Sequence, residues 1–268
     1  MSEQASEALD EQSRWLLVSD VDQTLTGDLA ALHQFIEVTE RTPNLLVCLN
    51  SSRPAASVAK TLVEIGRPFK PDALITAMGT EIRLHGEELS AWSRQFAGWD
   101  RRLVDDVMRE LGYRPHRAEL QTRWKASFIV PRGEDQRRAA EALDGTGIGV
   151  CIVVSGESDF DVMPPGAGKD RAALFLSRHL HLKLDRMIVA GDSRNDLSMF
   201  EVARRGIVVG NARHELRDAV TDWPGVYVAQ AAYAAGVLEG LRHWGVVEGG
   251  EPTSVVLSES KRNRLSRG

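Results

Sequence analysis

Asp20 and Asp22 stand two residues apart in Asp20-Val21-Asp22-Gln23-Thr24, directly after the apolar run Trp15-Leu16-Leu17-Val18. In extended backbone such residues share a face. Two carboxylates so placed repel, and one is driven to keep its proton unless a cation sits between them. Asp192 and Asp196 pose the same problem in Gly191-Asp192-Ser193-Arg194-Asn195-Asp196, where a helical turn would set like charges four apart. Taken singly, either pair could be turn or capping aspartates. All four acids at strand ends together ask for a hard cation held by oxygens, most simply Mg2+ with waters.

Lys169 follows Pro164-Pro165-Gly166-Ala167-Gly168 and opens a helix-like run to His181. An ammonium at a helix N-terminus opposes the macrodipole, so the position suits a lysine that faces an anion; the alternative is an exposed surface lysine. The stretch is not a P-loop, because Met163 stands where the first glycine belongs and Asp170 replaces Ser or Thr. Ser51 lies between the run Leu45-Leu46-Val47-Cys48-Leu49 and a helix starting near Pro54. It could hold a phosphate together with nearby backbone N–H groups, or simply cap the helix.

These residues need a scaffold that brings them to one place. Short apolar runs at 15–18, 45–49, 73–75, 187–190 and 207–209 alternate with helical patterns near 29–40, 54–65, 169–181, 195–204, 213–221 and 231–244. Near-continuous apolar strands separated by helices predict an α/β fold, a doubly wound parallel sheet of Rossmann-like type. Ligands of such sheets bind outside the carboxyl ends of the strands, where all three polar clusters would converge. The middle differs. Helix-like Asp100–Leu111, a strand Lys125–Val130, a helix Glu134–Leu143 and a strand Gly149–Val154 predict a small α+β domain, read as two βα units. The expected organisation is a core of 14–82 and 164–247, an inserted cap of 83–163, and disordered tails at 1–13 and 248–268. Trp92, Trp99 and Trp124 fall in the insert and mark its core or its contact with the main domain, with ligand stacking the lesser reading.

Composition narrows the class. The 268 residues carry 33 Lys+Arg against 38 Asp+Glu, a formal charge of −5, which argues against general nucleic-acid binding. No apolar run is long enough to span a membrane and the acidic start lacks a secretory pattern. Cys48 and Cys151 sit in apolar runs, so neither a disulfide framework nor a cysteine-rich zinc site is expected, and the cytoplasm is the expected compartment. The seven histidines show no metal or triad spacing; His33, His85, His179 and His214 read as surface or core residues.

The polar clusters resemble the motifs of the haloacid dehalogenase superfamily of phosphatases. Asp20-Val21-Asp22-Gln23-Thr24 is similar to its DxDxT motif, Asn50-Ser51-Ser52-Arg53 to its second motif (with Ser52 where many relatives have Gly), Lys169 to the third and Gly191–Asp196 to GDxxND. Further segments resemble the sucrose-phosphate phosphatases: Met78-Gly79-Thr80-Glu81-Ile82, Trp124-Lys125, Asp159–Pro164 and Gly166–Lys169. The end, Gly236–Gly245, resembles the related mannosylfructose-phosphate phosphatases. The resemblance runs from about residue 14 to 246.

It implies a Mg2+-dependent phosphatase acting on a disaccharide phosphate, with sucrose 6-phosphate first and mannosylfructose phosphate or another sugar phosphate as alternatives. Asp20 would be the nucleophile and Asp22 the general acid and base. Mg2+ would be held by Asp20, the backbone carbonyl of Asp22, Asp192 and Asp196. Ser51 and Lys169 would bind the phosphate, and Asn195 would orient Lys169 or the metal ligands. Lys125 and Asp161 are the candidate sugar contacts, with Glu81 near the hinge and Arg123 and His116 weaker. The expected partner is a small sugar phosphate, with no nucleic acid and no membrane; association with a glycosyl-phosphate synthase is a further expectation. The rivals are a phosphatase for a smaller phosphate, a phosphotransferase or mutase, and a non-catalytic sugar-phosphate-binding partner of a synthase. The last has no chemical need for Asp22.

Overall fold

Successive residues of the central strands enter opposite apolar clusters. Leu16 and Val18 belong to one and Leu17 to the other; Cys48 is likewise divided from Val47 and Leu49, and Val189 from Ile188 and Ala190. The period of two sends neighbouring side chains to opposite faces. With helices covering both faces, no position along these strands has solvent to face, which is why they read as unbroken apolar runs.

The computed structural model describes residues 14–248, so the tails expected at 1–13 and 248–268 lie, but for residue 248, outside the described residues. The strands are β1 (Trp15–Ser19), β2 (Leu45–Asn50), β3 (Ala73–Thr76), β4 (Glu81–Leu84), β5 (Glu87–Glu88), β6 (Arg114–Pro115), β7 (Ala126–Ile129), β8 (Cys151–Ser155), β9 (Asp159–Met163), β10 (Met187–Gly191), β11 (Arg205–Val208) and β12 (Val226–Val228). The helices are α1 (Leu29–Glu40), α2 (Ala55–Glu64), α3 (Ser90–Ser93), α4 (Arg101–Glu110), α5 (Glu134–Asp144), α6 (Lys169–His179), α7 (Leu197–Val202), α8 (His214–Val220) and α9 (Tyr233–His243).

The larger sheet runs β12-β11-β10-β1-β2-β3-β4-β5. Its first six strands are mutually parallel, and β4 and β5 turn back antiparallel. α1 and α9 cover one face through Leu32, Phe35, Ile36, Val237 and Leu241. α6 and α7 cover the other through Ala172, Leu176, Met199 and Phe200. The chain leaves β1 toward β2 and β3 on one side and returns through β10 on the other. The crevice between the carboxyl ends of β1 and β10 is therefore the topological switch point.

The smaller sheet is antiparallel, β6-β7-β9-β8. It differs from the two βα units expected, because β6 and β9 complete it. In β9, Phe160 and Val162 join Val104, Met108, Ala139 and Leu143 of α4 and α5 in the core. Asp159 and Asp161 alternate with them and point the other way. An aromatic chain joins this part to the larger sheet's helices: the Trp92 ring lies 5.0 Å from that of Phe175 on α6 and 5.4 Å from Phe96, which is 6.1 Å from Trp124. Trp92 Nε1 also donates to the carbonyl of Gly79 at 3.0 Å. Trp92, Trp99 and Trp124 all sit in the core cluster. Cys48 and Cys151 are free thiols, and among the described residues no helix is long and apolar enough to cross a membrane.

Candidate active site

β10, β1 and β2 lie side by side, so the segments leaving their carboxyl ends meet. The register continues one step past β1: the N–H of Asp20 donates to the carbonyl of Ala190 at 2.9 Å. This fixes Asp20 beside Asp192. One carboxylate oxygen from each of Asp20, Asp192 and Asp196 lies within 4.8 Å of the others, and all three residues are buried.

Local hydrogen bonds hold the cluster. Asp196 closes a turn in which its Oδ2 accepts from the N–H groups of Asp192 (3.1 Å) and Ser193 (3.2 Å). The like-charge pair thus survives in a short 3-10 turn, Arg194–Asp196, because one carboxylate is spent on backbone donors. Thr24 Oγ1 donates to Asp192 Oδ1 at 3.2 Å. Gly191 has no side chain to spare: a Cβ there would fall 2.6 Å from that of Asp196.

Lys169, the first residue of α6, is 1% exposed and reaches Asp20 Oδ1 at 2.5 Å and Asp196 Oδ1 at 2.8 Å. Burial works against its charge, but Asp196 and Asp20 more than offset this and hold its pKa above the ordinary lysine value. The lysine therefore does face anions. Three carboxylates around one ammonium still leave an excess of negative charge. Burial, with repulsion from Asp196 and Asp192 against the attraction of Lys169, raises Asp20 to about 7. Asp192 rises to about 6 through burial and Asp196.

Asp22 stands apart. Its side chain is 50% exposed, and its Oδ2 lies 2.7 Å from Nε of Arg53. The expectation that four carboxylates share one point is thus corrected to three: the turn after Asp20, with Gln23 at φ 62°, takes Asp22 out of the extended geometry that would align the pair. Ser51 is fully buried and does not cap α2, whose N-cap is Pro54. Its N–H donates to the carbonyl of Ile75 and its Oγ accepts from the N–H of Arg53 at 3.1 Å, which leaves the hydroxyl proton free to donate.

Asn195 Oδ1 accepts from Ser193 Oγ at 3.1 Å. Of the two expectations for it, Lys169 or the metal ligands, it does not reach Lys169, which Asp20 and Asp196 hold; its partner Ser193 donates its N–H to Asp196. Asn50, unassigned from sequence, donates through Nδ2 to the carbonyl of Lys169 at 3.0 Å and so ties β2 to the start of α6. Arg53 and Thr24 were also without roles, although both lie inside the motifs quoted above. Their partners are remote in sequence, and only the folded rim joins them.

A cleft of about 620 Å³ opens beside this rim, lined by Pro54, Glu81, Arg83, Gln121, Arg123 and Trp124 among others. Glu81 is placed by Thr76 Oγ1, which donates to its Oε2 at 2.8 Å. Arg123 stacks over the Trp124 ring at 4.4 Å. Lys125 and Asp161 do come together, Nζ to Oδ1 at 3.0 Å with Ser127 Oγ on the same oxygen, but both are buried and neither lines this cleft. His116 pairs with Asp159 at 3.0 Å.

The sequence model of the sucrose-6F-phosphate phosphohydrolase family matches residues 13–245. The mannosylfructose-phosphate phosphatase of Agrobacterium fabrum is 33% identical over 244 residues, 86% of this chain and 97% of that enzyme. Sucrose-phosphatase 1 of Nicotiana tabacum is 29% identical over 91% of this chain, which spans 62% of that protein's length. Among solved structures, the sucrose-phosphatase of Synechocystis sp. PCC6803 in complex with sucrose and phosphate superposes with a TM-score of 0.79 at 28% identity, covering 88% of this chain and 99% of that one.

Proposed function

This chain belongs to the sucrose-6F-phosphate phosphohydrolase family of the haloacid dehalogenase superfamily and is a hydrolase of sugar phosphates; from that premise we propose that it converts sucrose 6-phosphate to sucrose and phosphate through an aspartyl-phosphate on Asp20. The observation that carries this reading is the gathering of the buried carboxylates of Asp20, Asp192 and Asp196, two of them, Asp20 and Asp196, on one buried ammonium, with Asp22 held apart and half exposed.

Asp20 attacks phosphorus in line, and the bond from phosphorus to the sugar oxygen breaks. Asp22 gives the departing oxygen its proton. It then takes one from the water that hydrolyses the aspartyl-phosphate, freeing Asp20 and inorganic phosphate. Lys169 and the spare hydroxyl proton of Ser51 bind phosphoryl oxygens and offset the charge that develops on them. Three buried carboxylates with more negative charge than Lys169 balances are an all-oxygen donor set, and that fits Mg2+. Asp20, Asp192, Asp196 and the backbone carbonyl of Asp22 would hold it. When bound it supplies the double positive charge that lets an anionic nucleophile share a site with an anionic phosphate.

The smaller sheet and its loops act as the cap, with sugar contacts from Glu81 and Arg123 across the cleft. Lys125 and Asp161 would meet the sugar only by exchanging their mutual pairing for its hydroxyls. The likeness to the Agrobacterium enzyme supports mannosylfructose phosphate as a second reading. A cytoplasmic setting, beside the synthase that makes the sugar phosphate, goes with either.

The test is phosphate release from sucrose 6-phosphate, mannosylfructose phosphate and simple hexose phosphates, with and without Mg2+. We expect Mg2+-dependent turnover with sucrose 6-phosphate preferred. Preference for mannosylfructose phosphate would move the substrate to the second reading, and full activity in Asp20→Asn would refute the nucleophile.

A further inference from the structure

Arg53 carries an assignment beyond the family's phosphatase chemistry. It leaves the loop after β2 and lies against Asp22, Nε to Oδ2 at 2.7 Å. It is fixed from behind at several points. Its Nη1 donates to Ser57 Oγ at 3.2 Å and to Thr61 Oγ1 at 3.0 Å, in the first and second turns of α2. Its backbone N–H donates to Ser51 Oγ, and its carbonyl accepts from the N–H of Ala77 at 2.8 Å. The guanidinium is thus held on its α2 side through Nη1, while Nε and the otherwise unpartnered Nη2 are buried, with Nε at ion-pair distance from Asp22. Only a planar, many-donor group can hold both sides at once; a lysine ammonium is a single point.

Asp22 needs such a partner. It sits two residues from Asp20, beside three carboxylates that would share a cation. A carboxylate drawn onto that cation has its lone pairs committed and cannot pass a proton to a sugar oxygen. We propose that Arg53 is the positioning residue of Asp22, holding its carboxylate out of the acid cluster and at the mouth, where the leaving oxygen departs and water enters. The proposal rests on Asp20 as nucleophile and Asp22 as general acid and base. It adds that the division of labour between them is enforced by a residue of the loop after β2, whose backbone N–H meets Ser51 Oγ while its side chain meets Asp22.

The test separates this from a structural or substrate-binding role by changing the leaving group. A sugar alcohol needs a proton to leave, whereas p-nitrophenolate does not. In Arg53→Met, confirmed folded by its thermal melt, we expect turnover of sucrose 6-phosphate to fall about 100-fold, the scale of general acid–base catalysis. The pre-steady-state burst of p-nitrophenol from p-nitrophenyl phosphate should keep its rate within about threefold, followed by slow turnover as the aspartyl-phosphate persists. Adding Arg53→Met to Asp22→Asn should cost little more than Asp22→Asn alone, because both remove the same function. Arg53→Lys should fall between wild type and Arg53→Met, and it carries the test if the methionine variant does not fold. Equal losses on the burst and on the sugar phosphate, or additive losses in the double variant, would overturn the proposal, as would unchanged turnover in both Arg53 variants. Full activity in Asp22→Asn would instead refute the acid–base reading on which it rests.

Discussion

Among the described residues, Lys169 is the one cation within hydrogen-bond reach of both Asp20 and Asp196, and it is almost wholly buried. Removing one member of a buried ionic group leaves the others uncompensated, at a cost of about 3–5 kcal/mol. Lys169→Met should therefore abolish turnover and lower metal-free stability by about that amount in a urea titration, and saturating Mg2+ should recover part of the loss. A loss under about 1 kcal/mol would show that the acids are already neutral without the lysine. The same cluster sets a pH dependence. Burial and neighbouring carboxylates raise Asp20 to about 7 and Asp192 to about 6, above the ordinary aspartate value of 3.8. A raised carboxylate pKa means that the folded protein binds the proton more tightly than the unfolded chain. The stability this adds is complete below the unfolded value and is lost as pH climbs from about 4 to about 7. Mg2+ held there as proposed would compete with those protons, so its thermal shift should be small at pH 5.5 and large at pH 8. Equal shifts at the two pH values would remove these carboxylates from the metal site.

The segment between β3 and β4 ties the loop after β2 to Trp92 and the start of α6, and its backbone is unusual. Ala77, Met78 and Gly79 have φ values of 49°, 59° and 85° in succession. The N–H of Met78 donates to the carbonyl of Ser51, and the carbonyl of Gly79 accepts from Trp92. A Cβ on Gly79 would lie 2.2 Å from the carbonyl oxygen of Gly168, directly before Lys169. Gly86 has a similar φ of 90° but open space around it. Gly86→Ala should cost only the backbone strain, about 1–2 kcal/mol. Gly79→Ala should cost at least about 1–3 kcal/mol more through overpacking and should also slow turnover by shifting α6. Equal costs in chemical denaturation would show that the Gly79 contact relaxes freely. Little of this was readable in advance. The runs of β1, β2 and β10 announced themselves because burial on both faces leaves only apolar residues. β4 and β5 did not, since Glu81–Leu84 mixes charge with Ile82 and Leu84 on a sheet edge. β9 was hidden by Asp159 and Asp161, although their alternation with Phe160 and Val162 is a half-buried strand's pattern. The acids and Lys169 were legible because each ends or follows a strand. The Arg53–Asp22 pair was not, since nothing in a linear chain reports which of many arginines will reach a given aspartate.

At the scale of the whole molecule, the proposed function divides the task between the rim of the larger sheet and the smaller sheet. On that proposal the rim would supply groups that act on a phosphoryl oxygen and would treat any monoester alike. Selection among sugars must come from surfaces that the phosphate itself does not touch, and the cleft of about 620 Å³ joins such surfaces from both parts. Its two charged groups come from different places: Glu81 is the first residue of β4 in the larger sheet, and Arg123 lies in the loop before β7. Sugar hydroxyls bind through hydrogen bonds, and a site built for them loses much when one partner is removed, with charged partners worth about 1.5–3 kcal/mol. Glu81→Gln and Arg123→Ala should therefore each raise KM for the disaccharide phosphate by about tenfold or more while changing kcat little. Neither should alter the p-nitrophenyl phosphate burst, because that substrate has no sugar to present. Losses that fall equally on the aryl phosphate would mean the cleft acts on the reacting centre itself. KM values unchanged in both variants would place the sugar elsewhere, with the paired Lys125 and Asp161 on the smaller sheet as the surface to examine next.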